Sequence, residues 1–318
     1  MKVYAGDDAR PAETGAIVTI GTFDGVHRGH QSVLGELVEW AREKGVPAGV
    51  LTFRRHPRKT LAGSEPDMLT TFEHRLVLFE RAHVDFAWVL EFTPALAALT
   101  ARDFAGEYLA QRLAIRGLAM GFDSCFGSDR INKDSPELAP LARELGFAVR
   151  GLEPVLSPEG EVISSTRIRD AICDGRLRDA EAMLGRHVSV YGTVVAGDAR
   201  GRRLGYHTAN LDLAQEVRPP FGVYATIALV GEARFGSVTN VGYRPTITQN
   251  LPPGTKPDLL IETHLFDFSA DLYGQKMEVL FIEKLRDERR FADVTALAEQ
   301  IRKDEARARA ILLAHGLP

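Results

Sequence analysis

The chain changes its grammar near Leu184-Gly185-Arg186. Before that point, short apolar, β-branched runs at 16–20, 48–53, 86–92, 117–121 and 147–152 alternate with helical patterns at 31–44, 73–82, 102–114 and 136–145. After it, runs at 188–196, 222–230, 234–241, 259–266 and 277–283 follow one another without helices, separated by turn signals such as Gly197-Asp198 and Pro219-Pro220. The first pattern implies a doubly wound parallel sheet with ligands at the carboxyl ends of its strands. The second implies an antiparallel β-barrel. A final stripe of Val294, Leu297, Ile301, Leu312 and Leu313 reads as a C-terminal helix packed on that barrel, since alone it is only marginally stable in water. The expected architecture is α/β, with an N-terminal parallel-sheet domain at 1–184 and a barrel domain at 185–318. A length of 318 residues suits about two domains, each large enough for its own core.

The run Gly21-Thr22-Phe23-Asp24-Gly25-Val26-His27-Arg28-Gly29-His30 lies between the first apolar run and a helix carrying Val33, Leu34, Leu37, Val38 and Ala41 on one face. Gly21 and Gly25 let backbone approach phosphate, and the unpaired N–H groups of a helix start attract an anion. His27 and His30 then point to the same phosphates, where imidazoles stabilise charge that develops as an α-phosphate is attacked. Two histidines flanking Gly29, with Asp24 nearby, favour this reading over a plain turn with capping histidines. Neither G-x-G-x-x-G nor G-x-x-x-x-G-K-[ST] fits. The chemistry indicated is nucleotidyl transfer, with no nucleophilic side chain required.

Other polar segments follow the same strand ends. Thr52-Phe53-Arg54-Arg55-His56-Pro57-Arg58-Lys59 and Gly121-Phe122-Asp123-Ser124-Cys125-Phe126-Gly127 are expected to line one pocket, with Phe53 or Phe126 as a stacking face. Ser164-Ser165-Thr166-Arg167-Ile168-Arg169 opens a helical pattern, where a hydroxyl caps and arginine forks onto phosphate oxygens. In the barrel half, Gly197, Gly201 and Gly205 permit a flap with N–H groups open to phosphate. Thr208 and Asn210, two apart on an extended strand, face one way and suit Mg²⁺. Glu262 sits mid-strand among apolar neighbours, and pattern alone favours the solvent face over a catalytic base.

Composition limits the partners. Lys+Arg 39 against Asp+Glu 43 gives a net charge of −4, so no overall basic field recruits nucleic acid. Cys125 and Cys173 form no C-x-x-C pair, which points away from zinc and disulfide frameworks and toward a reducing cytoplasm. The N-terminal residues lack an apolar signal core and no run reaches bilayer length, so a soluble protein without membrane partners is expected.

The ordered motifs resemble those of the prokaryotic bifunctional riboflavin kinase/FMN adenylyltransferase family, also called FAD synthetases, over nearly the whole chain. They include G-x-F-D-G-x-H-x-G-H and I-S-S-T-R-I-R (Ile163 to Arg169) in the first half. The second half carries L-G-R, G-R-x-L-G (Gly201 to Gly205, with Arg202), G-V-Y-A (Gly222 to Ala225) and N-V-G-x-R-P-T (Asn240 to Thr246). L-Y-G (Leu272 to Gly274) and L-R-D-E-x-x-F (Leu285 to Phe291) complete the series. The resemblance implies a nucleotidyltransferase domain fused to a riboflavin kinase barrel, with ATP, Mg²⁺, riboflavin, FMN and FAD as its small molecules. It implies that Glu262 takes the proton of the ribityl 5′-hydroxyl, with Thr208 and Asn210 at the metal. His27, His30, Ser165, Thr166 and Arg167 then handle ATP phosphates for attack by FMN. Asp123, the His56-Pro57 loop, Arg286 and Phe291 fall at flavin-side positions.

Three departures from the family pattern stand out. His207 replaces the proline of P-T-A-N, removing a restraint on φ before Thr208. Thr52-Phe53-Arg54-Arg55-His56-Pro57 stands for T-F-x-P-H-P, and Ser124 replaces an aromatic. Altered kinase behaviour and weaker FMN binding are the expected consequences. The rival readings are a chain with one working domain, a flavin or nucleotide sensor that has lost its chemistry, and a cytidylyl- or pantetheine-type transferase. The sensor leaves a base and two imidazoles without purpose, and the last leaves the barrel unexplained.

Overall fold

A computed structural model describes residues 1–6, 9, 11, 13–64, 66–196, 208–212, 217–243, 259–289 and 291–317. The chain forms two compact units, one of residues 1–68 and 72–165 and the other of residues 69–71 and 166–318.

The first unit is built on a six-stranded parallel sheet. In chain order it contains β1 (Lys2–Ala5), β2 (Ile17–Ile20), α1 (Arg28–Lys44), β3 (Ala48–Phe53), α2 (Arg58–Ala62), α3 (Phe72–Arg81) and β4 (Phe86–Leu90). There follow α4 (Pro94–Ala98), α5 (Ala101–Phe104), a π-helix (Ala105–Arg112), β5 (Gly117–Met120), a small hairpin of β6 (Cys125–Phe126) and β7 (Ile131–Asn132), α6 (Leu138–Leu145) and β8 (Ala148–Gly151). The strand order is β1-β4-β3-β2-β5-β8. Helices cover both faces, so β3, β4 and β5 are buried at every residue, as expected of parallel strands. Val18, Leu51, Trp88 and Leu118 pack on one face. Ile17, Val50, Ala87 and Ala119 meet Leu34, Leu37, Leu78 and Phe79 of α1 and α3 on the other. Chain order reverses at β2, which lies between β3 and β5. Such a reversal opens a crevice at the carboxyl ends of the strands.

The second unit continues α7 (Ser165–Cys173) from its second residue and adds α8 (Leu177–Leu184). Then come β9 (Val188–Val195), β10 (Thr208–Asp212), β11 (Gly222–Val230), β12 (Ala233–Tyr243), β13 (Leu259–Leu265), β14 (Lys276–Arg286) and α9 (Val294–Ala314). The strands close into a barrel in the order β10-β13-β12-β11-β14-β9, and every pair is antiparallel. Val223, Ala225, Ile227 and Leu285 pack with Ala308 and Leu312 of α9. A hydroxyl ladder joins neighbouring strands: Thr226 meets Ser237 and Thr239 at 2.8 Å each, and Thr239 meets Thr263 at 2.9 Å. All four residues are fully buried, so each hydroxyl depends on the others.

Several elements differ from the sequence reading. β1 is an additional edge strand, paired with β4. The helix expected at 102–114 is instead α5 followed by the π-helix. The expected stripe on α9 is corrected: Val294 is 62% and Leu313 78% exposed, while Asp304, Ala308 and Leu312 are buried. Asp304 can occupy that face because Arg286 and Gln300 satisfy its carboxylate. No helix among the described residues is long and apolar enough to cross a membrane.

Candidate active sites

In the first unit, the turn after β2 is made largely by backbone conformation. Phe23, Gly25 and Val26 have φ of 53°, 81° and 38°. Left-handed conformations are costly for side chains such as those of Phe23 and Val26, and strained turns of this kind concentrate at ligand sites. Both side chains are buried, which offsets part of that cost. His27 caps α1: its Nδ1 accepts from the His30 N–H at 3.4 Å. In the neutral ring the remaining proton is then on Nε2, leaving a donor. The helix starts at Arg28, three residues before the helical pattern expected at 31–44.

The rings of His27 and His30 stack with centroids 3.7 Å apart and planes 18° from parallel, and Phe23 meets His30 edge-on at 5.1 Å. A Cβ at Gly29 would come within 3.2 Å of the His27 ring, so glycine permits this arrangement. Asp24 is buried, and its carbonyl accepts from Ser165 Oγ at 2.9 Å, joining the start of α7 to the turn. Thr166, exposed, and Arg167, half-buried, follow on the first turn of α7 and group with the second unit.

Gly21 and Thr22 lead into the turn from the end of β2. The next loop follows Phe53, the last residue of β3, which is 8% exposed and lies edge-on to Phe92 at 5.2 Å. His56 Nδ1 accepts from Arg58 N–H at 3.1 Å, and Pro57 precedes α2. Beyond β5, Asp123 is exposed, whereas Phe126 is 7% exposed and packed with Phe104. Phe53 and Phe126 are thus core rings in this structure, not open stacking faces.

Arg75 of α3 carries no motif signal, yet it joins two of these loops. It is 1% exposed and donates to the carbonyls of Thr22 at 2.5 Å, Phe53 at 3.1 Å and Arg54 at 3.2 Å. Burial pushes its pKa down to about 10, against the opposing influence of Asp24 and Glu73, so it remains charged at neutral pH. The available sequence signal is a cation within a helix whose neighbours Leu78 and Phe79 are core residues.

The second site lies on the barrel wall. Asn210 pairs in register with Glu262, Thr208 with His264, and Asn240 with Glu262 from the other side. Thr208 Oγ1 donates to Glu262 Oε1 at 2.5 Å. Glu262 is half-buried and Asn210 buried, so the carboxylate is not simply a solvated surface group. Arg286 grips Asp304 with Nε and Nη2 at 2.8–3.1 Å, and Phe291 lies 5.6 Å from its guanidinium. Gly197, Gly201, Arg202, Gly205 and His207 fall outside the described residues.

Comparison with known proteins follows the same division. The FAD synthetase family model matches residues 9–167 and the riboflavin kinase model residues 184–312. The chain is 38% identical over 300 residues to the bifunctional riboflavin kinase/FMN adenylyltransferase of Escherichia coli K12, covering 93% of each protein. The chain belongs to the bifunctional riboflavin kinase/FMN adenylyltransferase family. The family's Bacillus subtilis member is 34% identical, over 92% of this chain and 91% of its own. A solved structure named as a macrolide-efflux protein from Streptococcus pneumoniae superposes with a TM-score of 0.80 at 30% identity, covering 97% of this chain and 99% of that one.

Proposed function

We propose that this chain makes FMN and FAD: its barrel phosphorylates riboflavin with ATP, and its parallel-sheet unit transfers the adenylyl group of a second ATP to FMN. The observation that carries the adenylyl-transfer reading is the strained turn with stacked His27 and His30 at the reversal point of the sheet. Gly21, whose N–H is held by the Leu51 carbonyl, lets the backbone approach closely, and the N–H groups of Thr22, Phe23, Asp24 and Gly25 cradle ATP phosphates with Ser165 and Thr166. An FMN phosphate oxygen attacks the α-phosphorus, the bond to the bridging oxygen breaks and pyrophosphate leaves. His27, His30 and Arg167 donate to the oxygens that gain charge. His56, Pro57 and Asp123 border the flavin, with Phe53 and Phe126 supporting that wall from the core.

In the barrel, Glu262 takes the proton of the ribityl 5′-hydroxyl as its oxygen attacks the γ-phosphorus, and ADP leaves. The threonine hydroxyl, amide and carboxylate form a hard oxygen donor set that fits Mg²⁺, with Thr208 and Asn210 as its protein ligands. Bound there, the ion would neutralise phosphate charge. The segment carrying Gly197, Gly201, Arg202 and Gly205 is assigned to ATP, and Arg286 and Phe291 to the flavin side. The functional boundary is placed at 184/185, supported by where the riboflavin kinase likeness begins. A cytoplasmic enzyme of small molecules, with neither nucleic acid nor membrane as partner, completes the proposal.

The test supplies purified protein with ATP, MgCl₂ and either riboflavin or FMN, and separates the flavins by chromatography. FAD from both substrates is expected. FAD from FMN alone removes the kinase assignment, FMN without FAD removes the transferase assignment, and neither product leaves a binding protein.

A further inference from the structure

Arg75 places a fork of five N–H donors at the carboxyl ends of two adjacent strands. Its three described acceptors are backbone carbonyls: Thr22 belongs to the turn after β2, Phe53 ends β3, and Arg54 opens the following loop. The planar guanidinium spans both segments at fixed angles, whereas a lysine ammonium is a point charge on a flexible stem. Phe72, on the same helix, supports the arrangement. Its ring lies 5.7 Å from the guanidinium of Arg75 and 4.6 Å from that of Arg54. Burying a charge this deeply is costly unless it is hydrogen-bonded, and here Nη1 and Nη2 hold loop backbone in place while Nε is buried without a partner among the described residues.

We infer that Arg75 is a positioning residue for adenylyl transfer, clamping the phosphate turn at 21–25 to the loop at 53–57 and so setting the ATP α-phosphate against the attacking FMN phosphate. This inference rests on the function proposed above. Each loop can retain its own substrate while the two lose alignment, so the defect belongs in kcat more than in KM. A displacement of about 1 Å at reacting atoms can cost about 10²-fold in rate.

The experiment compares the full-length wild type, Arg75→Lys and Arg75→Ala in FAD formation from FMN and ATP. It also measures riboflavin phosphorylation and amide exchange at 21–25 and 54–56. The expected result is a kcat loss of about 10- to 100-fold, with both KM values within about threefold of wild type. Kinase turnover is unchanged, exchange rises in both loops together, and guanidinium ion restores turnover to Arg75→Ala where ammonium does not. If Arg75→Ala does not fold, Arg75→Lys carries the kinetic and exchange comparison. Wild-type kcat in the folded variants, a loss confined to KM, loops that exchange as in wild type, or a folded Arg75→Ala that guanidinium does not rescue overturns the role of Arg75. A wild type that makes no FAD instead removes the proposed function beneath it.

Discussion

The turn after β2 in the first unit takes its shape from consecutive residues, with left-handed backbone at Phe23, Gly25 and Val26 and the His27 cap of α1, while Arg75 and Ser165 tie it to distant helices. The barrel site is assembled at long range. Thr208 and Glu262 are 54 residues apart in sequence and meet because β10 and β13 pair in register. A local site leaves its pattern in consecutive residues, while a long-range site leaves isolated polar residues whose meaning depends on strand pairing. The same contrast makes the two sites separable by substitution.

The largest separation is expected from Glu262→Gln. Removal of a general base costs about 10²–10⁴-fold, so FMN formation falls by about 10³-fold while supplied FMN still becomes FAD. Kinase turnover at the wild-type rate would remove Glu262 as base. In the other unit, His30→Ala lowers FAD formation by about 10²-fold or more, through loss of one preorganised donor, with riboflavin phosphorylation retained. Equal loss of both activities in one variant would break the comparison and indicate misfolding.

Smaller effects sharpen it. Thr239→Val removes the hydroxyl linking Thr226 and Thr263, costing about 1–3 kcal/mol through buried groups left without partners. A lower urea midpoint for the barrel, with FAD formation from FMN intact, is the expected readout. The smallest effect concerns Asp267, whose carboxyl Arg309 holds below its ordinary value of 3.8. A depressed carboxyl contributes stability above its unfolded pKa and loses it as pH falls through the folded one. Asp267→Asn therefore lowers the melting temperature slightly at neutral pH and not in strong acid. A drop that persists in acid would assign the effect to something other than this ion pair.

The central parallel strands β3, β4 and β5 were legible because burial on both faces writes them as unbroken apolar runs. β1 was not, since a four-residue edge strand with Val3 exposed carries little of that signal. Apolar spacing at 102–114 marked a helix but could not distinguish the wider turn of the π-helix from an α-helix. Spacing alone places Leu312 inward on α9 but does not reveal that a paired Asp304 shares that face while Leu313 faces solvent. His27 and His30 stood out through their glycines. Glu262 looked like a surface residue until strand register brought it to Thr208 and Asn210. Arg75 was hidden for a related reason: a cation on a helix reads as exposed, and its carbonyl partners have no sequence signature.

The most direct measurement mixes purified Glu262→Gln and His30→Ala chains with riboflavin, ATP and MgCl₂, alongside each variant alone. Two independent sites predict FMN without FAD from His30→Ala, neither product from Glu262→Gln, and FAD from the mixture. A mixture of folded variants that yields FMN but no FAD would contradict the assignment of the two reactions to separable sites.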